Sequence, residues 1–340
     1  MTGRITLARV AAQAGVSPAT VSKVLNARAG VSEDTRRRVE ELVSDLGYVA
    51  VAERQRPARG TAEPLLEVLV DSLDSPYTWL LLNGVVAEAE EHRGGIVLGR
   101  LSRLAHEAPL AWAQRLARTG RIGVLEASTP TSAEREAALS AVGLPLVVVD
   151  PMDEPPPSVH SVGATNWAGG LLATRHLVEL GHRRIAYVGG PAGSPCDVAR
   201  ENGYLAGLRE GGVTPDPSLT THGPFTFQHG LTAGLAVLDR RDRPTAVFAG
   251  CDLIAVGLLE AARRLGVAVP DRLSVVGFDD SGLAASSAPP LTTVHQPIVE
   301  MGRAAVGTLF RLAAADAPPV HRVELATHLV VRSSTAPPPD

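Results

Sequence analysis

The sequence predicts an α/β protein in two parts: an N-terminal all-α helix-turn-helix domain and, beyond a linker, two α/β lobes. Three observations carry this. Residues 1–49 hold three short amphipathic helical patterns, each with its own start and stop signals. From Leu65 onward, short apolar runs alternate with helical patterns, as parallel sheets flanked by helices require. That alternation continues to about residue 335, too long a stretch for one such sheet.

The first helical pattern is Leu7 to Ala14, with Leu7, Val10, Ala11 and Ala14 on one face. Gly15 stops it, because glycine accepts the left-handed conformation of a helix terminus. Ser17 caps the second helix and Pro18 suits its first position, where no amide hydrogen bond is lost. Val21, Val24 and Leu25 are its apolar face. Ser32 caps the third, Glu33 and Asp34 sit at the positive end of its dipole, and Val39, Leu42, Val43 and Leu46 form its stripe before Gly47. Residues 50–64 read as a linker or hinge, without a sustained apolar face and with Pro57, Gly60 and Pro64.

In the region 65–335, candidate strands are Leu65–Val70, Gly95–Gly99, Ile122–Leu125, Leu146–Asp150, Arg184–Gly189, Thr245–Ala249 and Leu273–Gly277. Candidate helices are Trp79–His92, Leu110–Thr119, Ala133–Val142, Trp167–Leu180, Val198–Glu210, Gln228–Leu238 and Leu253–Leu265. In open α/β sheets ligands bind beyond the carboxyl ends of the strands. Attention therefore falls on Asp71 to Tyr77, Asp150, Cys251-Asp252 and Asp279-Asp280.

Composition narrows the function. The chain is 45% apolar and 20% charged, ordinary for a globular protein with a sizeable core, and the net charge is −4. Residues 1–60 carry ten Lys and Arg against six Asp and Glu, a net +4, which leaves −8 on the rest. A basic head on an acidic body suits a polyanionic partner at one end. Met1 to Arg9 has no apolar run and no stretch is long enough for a membrane helix, so a cytoplasmic protein without a membrane partner is expected. Cys196 and Cys251 are not in a C-x-x-C pair, and no cofactor or metal is expected.

The stretch from Ile5 to Asn26 is the most specific signal: two helices joined by a tight Ala-Gly-Val turn, the second placed to enter the major groove of DNA. Its exposed face carries Pro18, Ala19, Ser22 and Lys23. Thr20, Ser22 and Asn26 are placed to donate to phosphates. Thr6 and Ser17 complete the candidate contacts.

Here the sequence resembles the LacI/GalR family of transcription repressors. The motifs are Ala11-Ala-Gln-Ala-Gly-Val-Ser17 with Thr20-Val-Ser22, Val31-Ser-Glu-Asp-Thr-Arg36 and Leu46-Gly-Tyr48. They continue with Ser161-Val-Gly-Ala-Thr-Asn-Trp-Ala-Gly-Gly170, Leu180-Gly-His-Arg-Arg-Ile185, Gly203-Tyr204, Ser274-Val-Val-Gly-Phe-Asp-Asp280 and Pro290-Leu-Thr-Thr-Val-His-Gln-Pro297. The resemblance implies a homodimer on a near-palindromic operator, with a two-lobed core like the type I periplasmic sugar-binding proteins. It places Pro18, Ala19 and Lys23 where relatives read base edges, and only Lys23 has hydrogen-bonding reach towards guanine. One departure matters: relatives continue after Leu-Gly-Tyr into a hinge helix whose leucine wedges into the minor groove. Here Pro57 falls near that position, while Arg54 and Arg56 remain able to enter a narrow minor groove. A plain basic linker is the other reading.

For the effector, the resemblance implies a sugar or oligosaccharide, whose sites use carboxylates, amides and Arg beside an aromatic face. The candidates are Ser75, Tyr77, Asp150, Arg200, Phe225, Asp252, Asp279 and Gln296. Each has a plainer reading. Asp279 or Asp280 can cap a helix or loop, Phe225 can be core, and Arg200 can pair with Asp197 or Glu201. Trp167 can stack on ligand or pack in the core. Cys251 stands where many relatives have an amide. His182 is expected to be structural, and His295 has no evident partner in the sequence. A purine or nucleoside effector stays open, as does, more remotely, an enzyme using Asp279 and Asp280. The chain shows no Gly-rich phosphate loop, G-x-S-x-G turn or H-E-x-x-H motif.

Overall fold

The computed structural model describes residues 11, 13–17, 20, 21, 24, 32–45 and 63–339. The chain divides after Glu63 into two units. In the first, Val16 N donates to Ala11 O at 3.0 Å across Gly15, whose φ is +65°. That left-handed residue ends one helical turn so that the next can begin. Ser17 Oγ then accepts from Thr20 N at 3.1 Å, the capping bond expected of it. Helix α1 (Glu33–Asp45) starts the same way, with Ser32 Oγ accepting from Thr35 N. Ala11, Ala14, Val21, Val24 and Val39 are buried, the apolar faces the periodicity predicts.

The second unit holds two lobes. Lobe 1 begins with β1 (Leu65–Val70), α2 (Pro76–Glu91), β2 (Gly95–Arg100), α3 (Pro109–Arg118), β3 (Arg121–Ala127), α4 (Ala133–Ala141), β4 (Leu146–Val149) and β5 (His160–Ala164). Lobe 2 follows with α5 (Asn166–Glu179), β6 (Ile185–Val188), α6 (Pro195–Glu210), β7 (Thr220–Thr221), α7 (Phe227–Leu238), β8 (Ala246–Ala249), α8 (Asp252–Arg264), β9 (Ser274–Asp279), α9 (Gly282–Ser286) and β10 (Thr292–His295). The chain returns to lobe 1 for α10 (Ile298–Ala313) and β11 (Arg322–Leu325), then ends in lobe 2 with β12 (His328–Val330). The sheet orders are β11-β5-β4-β3-β1-β2 and β12-β10-β9-β8-β6-β7, and β12 on β10 is antiparallel while the other pairs are parallel.

Because helices cover both faces of the central strands, these are apolar on both sides. In β6, Ala186 and Val188 face the core under α7 and α8, while Ile185 and Tyr187 face α5 and α6. In lobe 1, Val68, Leu125, Val147 and Val162 pack under α2 and α10, and Leu69 and Val124 under α3 and α4. Helices α5 and α6 meet at glycines: a Cβ on Gly203 would overlap Trp167 O, and one on Gly170 would overlap Arg200 O. This close approach holds the start of α5 against the middle of α6, where the site residues lie.

Three crossings join the lobes: at Thr165, at Gln296-Pro297 and at Ala326-Thr327. Two are tied directly, since Thr165 N donates to Leu325 O at 2.9 Å and Thr327 N to Thr165 Oγ1 at 3.0 Å. The sequence reading finds β1 to the residue and every helix from α2 to α8 within three residues at either end. It does not find β5, β7, α9 or the whole return from β10 to β12. Asp150 lies just past β4, not inside a strand.

Candidate functional site

Of the candidate DNA contacts, Ser17 and Thr20 are described; their side chains bond each other at 2.9 Å. Thr6, Pro18, Ala19, Ser22, Lys23, Asn26, Arg54 and Arg56 lie outside the described residues, as do residues 50–62.

Four of the eight effector candidates form one buried network across the cleft. Asp150 follows β4 of lobe 1, and its Oδ2 accepts from Tyr77 Oη at 2.8 Å and from Gln296 Nε2 at 2.7 Å. Tyr77 is carried by the first turn of α2, which Pro76 opens. Gln296 sits on a crossing segment, and its Oε1 accepts from Arg200 Nη2 of lobe 2 at 2.9 Å. Arg200 thus reaches Asp150 through one amide. Its other nitrogens donate to Asn166 Oδ1 at 2.8 Å and Gly250 O at 2.6 Å, and its guanidinium lies 3.8 Å from the Phe278 ring centre. Asp279 Oδ1 is 4.0 Å from Nη2. Arg200 therefore does not pair with Asp197 or Glu201. Asp197 instead accepts from Tyr187 Oη at 2.7 Å and Gly190 N at 2.6 Å.

The electrostatics follow from burial. Desolvation raises the carboxyl of Asp150 above its ordinary value, against the opposing pull of Arg200 and the bonds from Tyr77 and Gln296. Asp279 is pushed up further by burial, with Asp252 and Asp150 repelling its charge and Arg200 opposing. Asp252 rises to about 6, for burial outweighs the hydrogen bonds it accepts. Asp150, Asp279 and Asp280 all have positive φ, at 41°, 108° and 56°. Non-glycine residues held there gather at functional sites, at about 1–3 kcal/mol each.

The other candidates are placed differently. Asp252 is saturated: Ser281 N, Ser281 Oγ and Thr293 Oγ1 donate to it at 2.7, 2.9 and 2.7 Å, so it locks the loop after β9 to the start of α8. Phe225 packs on the lobe 2 core, with its ring centre 5.9 Å from the Arg200 guanidinium. Ser75 takes the capping position of α2 without a side-chain cap bond. Cys251 is buried at the same position of α8. Asp279 and Asp280 diverge, the first towards Arg200 and the second to Arg332 Nη2 at 2.6 Å. Asp280 also supplies the partner that the sequence did not reveal for His295, with Nδ1 3.0 Å from Oδ2. His182 is structural as expected, bonded to Thr245, Ser274 and the carbonyl of Ala336.

A cavity of about 320 Å³ opens between the lobes beside this network. Asp150 is the one effector candidate that lines it. The rest of its wall comes from Pro151, Glu154 and Pro155 after β4, from β5 and β11, and from the starts of α5 and α6, including Trp167 and Cys196. Trp167 is not core: 46% of it is exposed. Sequence reasoning missed Asn166 as an Arg200 partner, although it stands one residue from Trp167 in a motif already singled out. No group of three or more His, Cys, Asp or Glu among the described residues could hold a metal ion. No helix among them is long and apolar enough to cross a membrane.

Comparison with known proteins agrees with this architecture. Residues 6–50 match the model for bacterial regulatory proteins of the lacI family, and residues 174–335 that for a periplasmic binding protein-like domain. The HTH-type transcriptional regulator CelR of Thermobifida fusca is 36% identical over 338 residues, covering 97% of this chain and 98% of the relative. A solved complex of the transcriptional regulator CelR with cellobiose superposes with a TM-score of 0.72 at 33% identity, covering 97% of this chain and 100% of that one. The lac repressor dimer bound to operator and the anti-inducer ONPF gives a TM-score of 0.71 at 27% identity, covering 98% and 100%. The relatives are regulators and not enzymes, and the helix-turn-helix and two-lobed core are both accounted for: this chain belongs to the lacI family of bacterial regulatory proteins and is an HTH-type transcriptional regulator.

Proposed function

We propose that this regulator represses transcription from a near-palindromic operator as a homodimer and is controlled by a saccharide bound between its lobes. The observation that carries the effector reading is the network from Asp150 through Gln296 to Arg200, which joins the lobes by polar groups alone. Carboxylate, amide and guanidinium are the groups that hold vicinal sugar hydroxyls. The cellobiose held by the similar CelR supports the same ligand class. In this reading residues 1–49 contact DNA, through Thr6, Ser17, Pro18, Ala19, Thr20, Ser22, Lys23 and Asn26. Residues 50–64 are the hinge, with Arg54 and Arg56 facing the minor groove, and residues 65–335 bind effector and dimerise. Ser75, Tyr77, Asp150, Arg200, Asp279 and Gln296 form the effector site, with Asp252 and Phe225 supporting it from behind. The protein works in the cytoplasm, associated with the nucleoid while on DNA.

Operator titrations with and without a panel of saccharides, at one salt concentration, test this. Salt is fixed because phosphate contacts make affinity fall steeply with ionic strength. Operator affinity should change by a coupling of about 1–3 kcal/mol, and operator should change saccharide affinity by the same factor. Operator affinity unmoved by every saccharide but shifted by purines would replace the sugar with a base. Footprints confined to one half-site would end the dimeric reading.

A further inference from the structure

We infer that the cavity beside the Asp150 network is a subsite for a second sugar ring, with Trp167 as its stacking platform, so that the regulator selects disaccharides over monosaccharides. This rests on the saccharide reading above and adds to it a residue that sets chain length.

The cavity floor follows from strand alternation. In β5, Val162 and Ala164 point into the core beneath α2 and α10. Ser161 and Gly163 therefore face the other way, a face that α3 and α4 leave uncovered, since they pack over β1, β3 and the approach to β4. The parallel register sets Arg322 of β11 beside Ser161 and Glu324 beside Gly163. All four line the cavity. Gly163 keeps the floor low where Asp150 approaches; a Cβ there would sit 3.2 Å from Asp150 Oδ1. Trp167 and the start of α6 also line the cavity, from lobe 2.

The chemistry is that of a pyranose ring. Such a ring has an apolar C–H face, which an indole covers, and a rim of hydroxyls, which need donors and acceptors. Ser161 is 8% exposed, lines the cavity, and its hydroxyl has no hydrogen-bond partner among the described residues. The hydroxyl itself is not among the buried unpartnered atoms, so it opens onto the cavity with its bonds free for a ligand or water. Asp150 Oδ2 carries both bonds from Tyr77 and Gln296, which leaves Oδ1 for the cavity. Arg322 pairs only loosely, at 3.7 Å with Glu154 and 3.4 Å with Glu324, on an exposed rim where such pairs exchange readily for ligand hydroxyls. The volume of about 320 Å³ falls near the lower end of small-ligand sites, about 300–1,000 Å³. Arg200 lies outside the cavity wall with its three nitrogens committed, and Asp150 is the link between network and cavity. A ring over Ser161 and Gly163 would meet the network through that carboxylate.

The test is calorimetric titration of the full chain with glucose, galactose and mannose, and with cellobiose, maltose and lactose. The best disaccharide should bind at least roughly tenfold tighter than the best monosaccharide. Trp167→Ala should weaken the disaccharide by roughly three- to tenfold and monosaccharides by less than about twofold, and Trp167→Phe should restore most of the loss. Trp167 is half exposed, and circular dichroism on both variants checks that they fold. Equal binding of mono- and disaccharides by the unaltered protein would overturn the inference, as would equal losses for both in Trp167→Ala, while leaving the saccharide reading standing. Adenosine binding tighter than every sugar, with the same loss in Trp167→Ala, would assign the platform to a base. If no sugar in the panel binds, both readings fall together.

Discussion

The two lobes are built alike and treat their cleft-facing polar groups in opposite ways. Each is a six-stranded, mainly parallel sheet between helices. Lobe 2 ties up most of the polar groups it turns to the cleft: Asp252 accepts three hydrogen bonds, Arg200 donates from each nitrogen, and Asp197 is held by Tyr187 and Gly190, while Asp279 has only Arg200, at 4.0 Å. Lobe 1 presents Asp150 through one oxygen and Ser161 with none of its side-chain valence used. A saturated group fixes geometry, and an unsaturated one has bonds left for a ligand. Lobe 2 is thus the frame of the site, and lobe 1 is the half with hydrogen bonds to offer.

The largest expected effect tests the frame. Arg200→Ala should destabilise the chain by about 3–5 kcal/mol in urea, because it leaves buried Asp279 without its counter-charge and strips Gln296 and Asn166 of their donor. A loss under about 1 kcal/mol would mean the lobe 2 network is ornamental to folding. Next comes His182, which clasps the C-terminal segment to β9 through Ser274 and Ala336. His182→Ala should cost about 2–3 kcal/mol. Burial lowers this imidazole below its ordinary 6.5, so the folded state resists its protonation. Its contribution is complete above that value and is lost as the pH falls below it. Denaturation of His182→Gln between about pH 7.5 and about pH 5.5 should accordingly show a shallower acid loss than the unaltered chain; parallel curves would remove His182 as a source of acid sensitivity. The smallest effect is on the lobe 1 side. Ser161→Ala should change stability by less than about 0.5 kcal/mol, since no protein bond is lost. A drop beyond about 1 kcal/mol in thermal denaturation would reveal a partner and erase the contrast between the lobes.

The same contrast explains what was legible in the sequence. Strands β1, β3, β4, β6, β8 and β9 are apolar runs and stand out as such. Strand β5, His-Ser-Val-Gly-Ala, has one face of serine and glycine because that face lines a cavity, and so it lacks the alternation that marks a strand. Strands β11 and β12 are short edge strands with exposed residues, whose place depends on crossings that no local pattern encodes. Asp150, Arg200, Asp279 and Gln296 were recognisable by motif. Their wiring was not: Gln296 bonds a carboxylate 146 positions away. Asp252 and Phe225 have the right chemistry for a ligand but are committed to their own lobe. Trp167 was ambiguous because the first turn of a helix offers the same spacing whether it faces core or cavity.

The three crossings also have a mechanical reading. Thr165 and Thr327 pin two of them together, and Gln296 on the third is bonded to both lobes. Two crossings bound to each other and a third bonded to both lobes make one seam, with the seam as axle and the lobes as its arms. Gln296 sits on that axle and holds the oxygen of Asp150 that also receives Tyr77. A hydroxyl that takes over this oxygen acts at the pivot, where a displacement of one bond length turns into the widest sweep at the far ends of the arms.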